Sequence, residues 1–443
     1  MQTRRNTQQQ EMMLLPSLDS FVPETHRLRR LNRVLDLSFV HEVVRDRYCQ
    51  ENGRPSVDPE VIIRLFLLQA ILGIPHVRTL MEEVQVNLAC RLFIGYRLDE
   101  VLPDHSTLSK ALDRFGDEVF NELFTRSIAQ CQRSGLIEGK VLHVDATTIR
   151  ADIDANRVNQ IDSADRDARF GKFPGKRTAP GYKQHTVVDD GSRVVVGLTV
   201  TPANRPDHDE AVVVIDDAVN HLDQSPEVIC GDAAYGSGEN RAACEERGIR
   251  LVSPPPKATT GGYFAVEDFR YEESRDQFLC PAGETLSYVG GVLARPKQRR
   301  YAASRSACRT CPLKVRCTRS PRREIKVGKS HAALLRLRAD SRTASFRVLY
   351  RRRAPVIEGV FAEAKQWHGL RRAWRRGLGK MLIQSLLVAS VLNFKRLAAA
   401  FPANGSMPAT FVRAVYRVLR QLWAATDTYP HTNPMRMNIS IAV

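Results

Sequence analysis

The hydrophobic period of this chain changes from helical to strand-like at Val141, and no other feature constrains its fold as much. Residues 1 to about 137 read as helix throughout. Asp58-Pro59 forms an N-cap and first-turn pair ahead of apolar positions at Ile62, Leu65, Phe66 and Leu72, closed by Gly73. Further helices are expected from Val77 to Phe93, from an Asp104 cap to Phe115, and from an Asp117 cap through Val119, Leu123 and Ile128 to Gly135. From Val141 short strand-like runs take over, at 141–145, 184–189, 193–200, 227–231 and 249–252, with helices at about 207–221 and 238–246. Strands alternating with helices after an opening meander predict a mixed α/β sheet. Pro254-Pro255-Pro256 marks a boundary, and the stretch to about 340 has no long periodic helix, so it reads as an inserted β-rich module. Helix returns from about 342 to 422. The expected division is a helical domain at 1–137, an α/β core beginning at 138–254, a basic β-rich insertion at 255–341, the C-terminal helices of the core at 342–424 and a tail at 425–443. Residues 1–10 and 425–443 look loosely ordered.

Three carboxylates stand in contexts that converge. Asp145 and Asp232 end apolar runs, and Glu358 lies in a helical pattern. Neighbouring parallel strands would bring the two aspartates side by side, and a helix packed there would add the glutamate. Three acids at one point repel each other unless divalent cations neutralise them, and hard cations such as magnesium take oxygen ligands. Singly, each could instead cap a helix or close a turn. Glu363 competes as the third acid. Asp152, Asp154, Asp207 and Asp209 also lie near strand ends, where capping is the better reading, above all for Asp207-His208-Asp209 at a helix start. Lys183 and His185 open a strand beside the site, either to orient a phosphate or an acid or as ordinary strand residues.

Charge narrows the class of partner. The chain carries 66 Lys+Arg against 49 Asp+Glu, a net +17, which favours a polyanion through counterion release. The longest apolar stretch, Met381–Phe394, is interrupted by Gln384 and Ser385 and falls short of the ~20 residues a bilayer span needs. Arg4 and Arg5 precede Met12-Met13-Leu14-Leu15, too short for a signal segment. A cytosolic protein is expected, with thiols or metal ligands rather than disulfides. Cys280, Cys308, Cys311 and Cys317, spaced Cys-x27-Cys-x2-Cys-x5-Cys, suit tetrahedral zinc, with reduced free thiols as the alternative. Cys49, Cys90, Cys131, Cys230 and Cys244 sit in apolar surroundings of core type.

The strings HVDATTIRA (143–151), GYKQHTVVDD (181–190), TPANRPDHD (201–209), GDAAYGS (231–237) and VIEGVFAEAK (356–365) resemble, in order, the successive blocks of DDE transposases of bacterial insertion sequences. RPSVDPEVIIRLFLLQAI (54–71) and PDHSTLSKALDRF (103–115) resemble the InsH-like helical domain that precedes such cores. The resemblance implies an RNase H-like mixed sheet flanked by helices, with an all-α domain before it and the Cys-containing insertion before the last catalytic helix. It identifies Asp145, Asp232 and Glu358 with the D, D and E, and Lys365, two helical turns past Glu358, with a phosphate-contacting lysine. Tyr350 and Arg353, DNA contacts by the same resemblance, lie eight and five residues before Glu358, one further than the usual pattern, with Pro355 between. Two magnesium ions, with manganese as substitute, would activate water and stabilise the leaving 3′-oxygen, and the freed 3′-OH would then attack target DNA.

Partners implied are double-stranded terminal inverted repeats and target DNA, held by a homodimer at the bacterial nucleoid, with no membrane. Thirteen Lys or Arg against the single acid Glu324 between Arg295 and Lys329 suggest a DNA clamp at Arg299, Arg300, Arg322 and Arg323, with Tyr301 stacking on a base. Arg371, Arg372, Arg375 and Arg376 would meet the cleaved strand, and Trp374 either stacks on a base or packs a helix. Ser106–Phe115 either enters a major groove or belongs to a dimerisation bundle. The rivals are a metal-dependent nuclease without strand transfer and a non-catalytic DNA-binding regulator.

Overall fold

The computed structural model describes residues 17–48, 56–153, 165–173, 175, 177–256, 262–292 and 295–401. The readings at Arg4, Arg5, Met12–Leu15, Cys49 and Asp154, the helix beyond 401 and the 425–443 tail lie outside the described residues.

The first part is helical, as the period predicts: α1 (Leu18–Phe21), α2 (Arg27–Val34), α3 (Val40–Val43), α4 (Pro59–Leu72), α5 (Val77–Val86), α6 (Leu88–Ile94) and α7 (His105–Arg133). Asp58 caps α4 by accepting from the Glu60 N–H at 2.7 Å. Gly73 ends it at φ 66°, where a side chain would also press on the Trp367 carbonyl, 2.8 Å from the Cβ position. The single helix expected over 77–93 is two, because the Asn87 side chain accepts from the N–H groups of Ala89 and Cys90 and starts α6. Asp104 caps α7 through Ser106 at 2.8 Å, and Gly116, non-helical at φ 64°, breaks it one residue before the expected second start.

The sheet that follows comprises β1 (Val141–Arg150), β2 (Arg169–Phe173), β3 (Arg177–Asp189), β4 (Val195–Pro202), β5 (Val228–Cys230) and β6 (Arg250–Val252), with α8 (Asp207–Leu222) and α9 (Gly238–Glu246). Its order is β2-β3-β1-β5-β6, with β4 also on β3. β1, β5 and β6 run parallel, and β3 is antiparallel to β1 and β4, a mixed α/β arrangement. β1 continues five residues past the expected end, since Thr147, Thr148 and Ile149 carry strand-favouring branches and pair with β3. Asp145 therefore stands mid-strand.

A second sheet, in the order β11-β10-β9-β8-β7, forms the insertion: β7 (Arg270–Glu272), β8 (Gln277–Leu279), β9 (Thr285–Val292), β10 (Arg295–Ala303) and β11 (Glu324–Gly328), with α10 (Arg305–Arg309) and α11 (Lys314–Cys317). It has a small core of its own around Phe269, Phe278, Leu286, Tyr301 and Ile325. The stretch to 341, expected to lack a long helix, ends in the eleven-residue α12 (His331–Ser341). α13 (Ala344–Trp367) runs through Pro355, and α14 (Leu378–Ala400) follows.

α14 joins the two layers. It packs against α2, α4 and α7 on one side and β4 on the other, in one hydrophobic core that runs from Leu28 to Ala398. Gln384 and Ser385 do not disqualify it by composition: at 23 residues it is long and apolar enough to cross a membrane, but 83% of that window is buried inside the protein. Its polar residues are employed. Asn393 accepts from the Val195 N–H at 2.8 Å and donates to the Val195 carbonyl at 2.9 Å and to Ser127 Oγ at 3.0 Å. Asn393→Ala will leave the Val195 pair unbonded in the core and cost about 3 kcal/mol, read from the denaturant midpoint.

Candidate active site

β1 and β5 are parallel neighbours with His143 opposite Cys230. Two residues further along each chain come Asp145 and Asp232, so the register itself sets the two carboxylates side by side. Asp232 lies in the turn after β5, where its carboxylate accepts from the Ala234 N–H at 2.9 Å and its carbonyl accepts from the Ser253 hydroxyl. Asp145 accepts from the Ala146 N–H at 2.8 Å. Burial pushes its carboxyl up to about 6, with Asp232 adding to the rise and the Ala146 N–H and Arg353 opposing it.

The third element is α13, which packs on β1, β5 and β6. Arg353 reaches down from it and donates to Asp145 Oδ2 at 2.7 Å, while its other terminal nitrogen lies 3.6 Å from Glu358 Oε1. Burial works against the guanidinium charge, but Asp145, with Asp232 further off, holds its pKa above the usual value. The Tyr350 ring centroid is 5.9 Å from the guanidinium carbon, and that ring stacks in turn on Phe346. Glu358 is 64% exposed and meets the aspartates only through Arg353. Arg353, expected to face a nucleic acid, is turned inward, its side chain 10% exposed. Among the described residues no three His, Cys, Asp or Glu side chains form a ready-made metal cluster.

A cleft of about 750 Å³ opens beside β1, lined by Thr147, Thr148, Lys172, Lys183, Arg205 and Lys365 among others. Burial, with Arg371 contributing, lowers the Lys365 ammonium pKa. Lys183 is held by Asp207 at 2.8 Å, so Asp207 serves an ion pair, and α8 begins behind Pro206 without a side-chain cap. His185 is a strand core residue rather than a ligand contact. It is wholly buried, bonded to Thr201 Oγ1 at 2.9 Å, and burial pushes its pKa down to about 4. Glu363 is withdrawn from the site by Lys395 and Arg396, which overcome its burial and lower its pKa to about 2.

The arginine run past α13 pairs with the far end of β1: the Arg150 N–H donates to the Arg371 carbonyl at 3.2 Å, and the Ala373 N–H to the Arg150 carbonyl at 2.8 Å. Arg371, Arg372 and Arg376 stay exposed, with Arg372 on Asp152 at 2.6 Å, while Arg375 is half-buried. Trp374 packs: its side chain is buried, and its backbone N–H donates to Gln384 Oε1 at 2.8 Å. In the insertion, Tyr301 is 1% exposed and bonded to Asp276 at 2.6 Å, so it cannot stack on a base. Arg299 also pairs with Asp276, Arg322 with Glu324, and Arg323 donates to the Cys317 and Phe264 carbonyls. Arg299 and Arg323 tie separate segments of the module together, Arg322 pairs locally, and of the four expected to clamp DNA only Arg300 is not engaged in this way. Cys280, Cys308, Cys311 and Cys317 line one small cavity, and Cys90, Cys131, Cys230 and Cys244 are buried as expected.

Sequence reasoning missed the fastening of α13. His143 Nε2 lies 2.7 Å from Asp190 Oδ1, and Arg352 pairs with the same carboxylate, so α13 is pinned across β1 one residue from Arg353. The only signal was the doubled acid Asp189-Asp190 at the end of β3.

Three buried histidines give the fold a pH dependence, His185 and two others. Burial pushes both His331, against the Tyr271 and Phe278 rings, and His368, between the Ala70 carbonyl and Lys395, down to about 4 from 6.5. The unfolded chain takes up these protons near the ordinary value and the folded chain does not. Stability is therefore full above about pH 6.5 and falls towards pH 4, by about 1.4 kcal/mol per pH unit for each site. Urea midpoints on either side of that window will show the slope, and His368→Gln will flatten part of it.

The geometry alone defines a paired-carboxylate site in a basic α/β protein. Comparison with known families takes the next step. A family described as Transposase domain (DUF772) matches residues 16–114, and one described as Transposase DDE domain matches residues 279–398. Both matches are to transposase domains, the second of the DDE type, and together they are consistent with a DDE transposase. Glu358, Lys365 and the four cysteines fall inside the second match, while Asp145 and Asp232 lie between the two. No curated protein matches significantly. Among solved structures, a piggyBac transposase synaptic complex with hairpin DNA is 12% identical, over 92% of this chain and 84% of that one, at a TM-score of 0.34. A Mos1 transposase paired-end complex with left transposon end is 11% identical, over 46% of this chain and 61% of that one, at 0.17. A Mos1 mariner paired end complex with Mn is 10% identical, over 46% and 62%, at 0.16. Likenesses this slight carry no argument about the fold.

Proposed function

We propose that Asp145, Asp232 and Glu358 are the carboxylates of a phosphodiester-cleaving site on an RNase H-like sheet. On this reading the protein binds the terminal inverted repeats of an insertion sequence, cuts the DNA and joins the freed 3′-OH ends to target DNA. The observation that carries the reading is the meeting of Asp145, within β1, and Asp232, just past the end of the parallel neighbour β5, at matched register, with a buried cation balancing them. The donor set is all oxygen, which fits hard divalent cations such as magnesium or manganese. When bound, such ions supply an activated water and a stabilised leaving oxygen.

Each remaining part is assigned to this chain's own side chains. Arg353 holds Asp145 in place without DNA and has to release it for the site to fill. Glu358, exposed and on a helix pinned by Arg352 and Asp190, is free to swing inward. Lys183 and Lys365 line the cleft beside β1, where a strand's phosphates would run. Arg371, Arg372 and Arg376 lie exposed beyond it. The first half of α7 buries Leu108, Leu112 and Phe115 and turns Ser109, Lys110 and Arg114 outward, a face available for DNA or for a second copy. Two ends must be brought together for joining, so we assign a homodimer, acting on chromosomal DNA in the bacterial cytoplasm.

The test is a labelled duplex bearing the element's end, incubated with magnesium and a plasmid target. Cleavage to 3′-OH ends that join the plasmid, lost in Asp232→Ala, is the expected result. Cutting without joining would make the protein a nuclease. Binding with no cut, in manganese as well, would make it a regulator.

A further inference from the structure

The four cysteines of the insertion take no part in the cleavage reading, and their role is independent of it. They come from three separate pieces of chain. Cys280 follows β8 in the turn Cys280-Pro281-Ala282-Gly283, closed by the Gly283 N–H donating to the Cys280 carbonyl at 2.9 Å with Gly283 at φ 83°. Cys308 lies in α10, Cys311 follows three residues on, past the helix end, and Cys317 ends α11. The fold nevertheless brings all four to the wall of a single small cavity.

Three features of that cavity select its occupant. All four cysteines are free thiols and half-buried, whereas the other described cysteines are fully buried in the cores. The Glu284 N–H donates to Cys280 Sγ at 3.3 Å, a bond that favours a thiolate over a thiol. Lys314 and Arg323 line the same cavity. A zinc tetrathiolate is a dianion, and these two cations match its charge. Calcium and magnesium would want oxygen donors instead.

We propose that Cys280, Cys308, Cys311 and Cys317 form a structural zinc site that closes the insertion. The thiols ring the cavity without yet closing on a centre. Zinc draws them in by side-chain rotation, displacing four thiol protons to solvent with no change of oxidation state. The module needs such a staple. Its core is a handful of side chains, two of its five strands are three residues long, and Cys280, Cys308 and Cys317 already pack against that core. Zinc there fixes β10 and β11 against β8 and so sets the angle at which the chain enters α12 and α13.

The test uses the full chain, purified without chelator, with zinc measured by elemental analysis. One zinc per chain is expected. Cys308→Ser and Cys311→Ser will each reduce it to near none, and Cys244→Ser will leave it unchanged. Because the serine variants could fail to fold, cobalt substitution of the wild type gives an independent reading. Tetrahedral thiolate coordination produces intense visible bands and thiolate-to-cobalt charge transfer. A zinc-free protein whose four thiols label at once and give no such spectrum overturns the proposal, as does a disulfide mapped among the four.

Discussion

Asp145→Asn and Asp232→Asn will each lower divalent-dependent cleavage of end DNA by at least about a thousand-fold, while end-DNA affinity changes by less than about threefold. The two effects separate because they rest on different groups. Affinity for a duplex comes from lysines and arginines that displace counterions, and neither aspartate supplies such a charge. Cleavage needs negative oxygen donors at one point, and an amide in the same volume cannot provide them. Both substitutions are near-isosteric. In Asp145→Asn the new amide oxygen would still accept from the Ala146 N–H, but Arg353 would lose its buried anionic partner and keep only Glu358 at 3.6 Å, so a stability loss of about 3 kcal/mol is expected and folding is to be measured beside cleavage. Retention of cleavage within tenfold by either variant would remove that carboxylate from the site.

Arg353→Ala is the second large effect, and its sign depends on whether a divalent ion is present. In the ion-free protein this side chain is the direct partner of a buried aspartate. Removing it leaves Asp145 desolvated and uncompensated, which costs about 3–5 kcal/mol. Magnesium or manganese can supply the missing charge. The variant should therefore unfold at much lower temperature than wild type in chelator and recover much of that difference when the ion is added. Wild type, already balanced, should gain less. An equal response of both proteins to the ion would show that Arg353 and the cation do not share a place.

The pairing of Asp145 with Asp232 was legible because a parallel register follows from two apolar runs that each end in an acid. Helix starts at Asp58 and Asp104 were legible for a similar reason, since the cap and the period lie close together in the chain. Readings that relied on charge count fared worse. The run from Arg295 to Lys329 looked like a single basic face, but Asp276, distant in sequence, claims both Arg299 and Tyr301. Composition counts charges and cannot locate their partners. Arg353 was misjudged for a different reason. Its DNA-contact role was carried over from the family pattern, from which its five-residue offset already departs, and α13 packs so closely on β1 that the side chain has a buried carboxylate to reach. The apolar stretch from Met381 was read as too short and too interrupted to span a bilayer, yet Gln384, one of those interruptions, and Asn393 are buried amides that bind the layers.

That binding has a consequence for how such a gene can be divided. α14 is encoded last among the described elements, yet it completes the core under helices encoded first. A copy that has lost its front end would expose the apolar side of α14, and one that has lost its back end would leave α4 and α7 without their cover. Neither fragment inherits a surface that water tolerates, so deletion derivatives should aggregate or be degraded rather than persist as competitors of the intact protein. The two layers have to be inherited together.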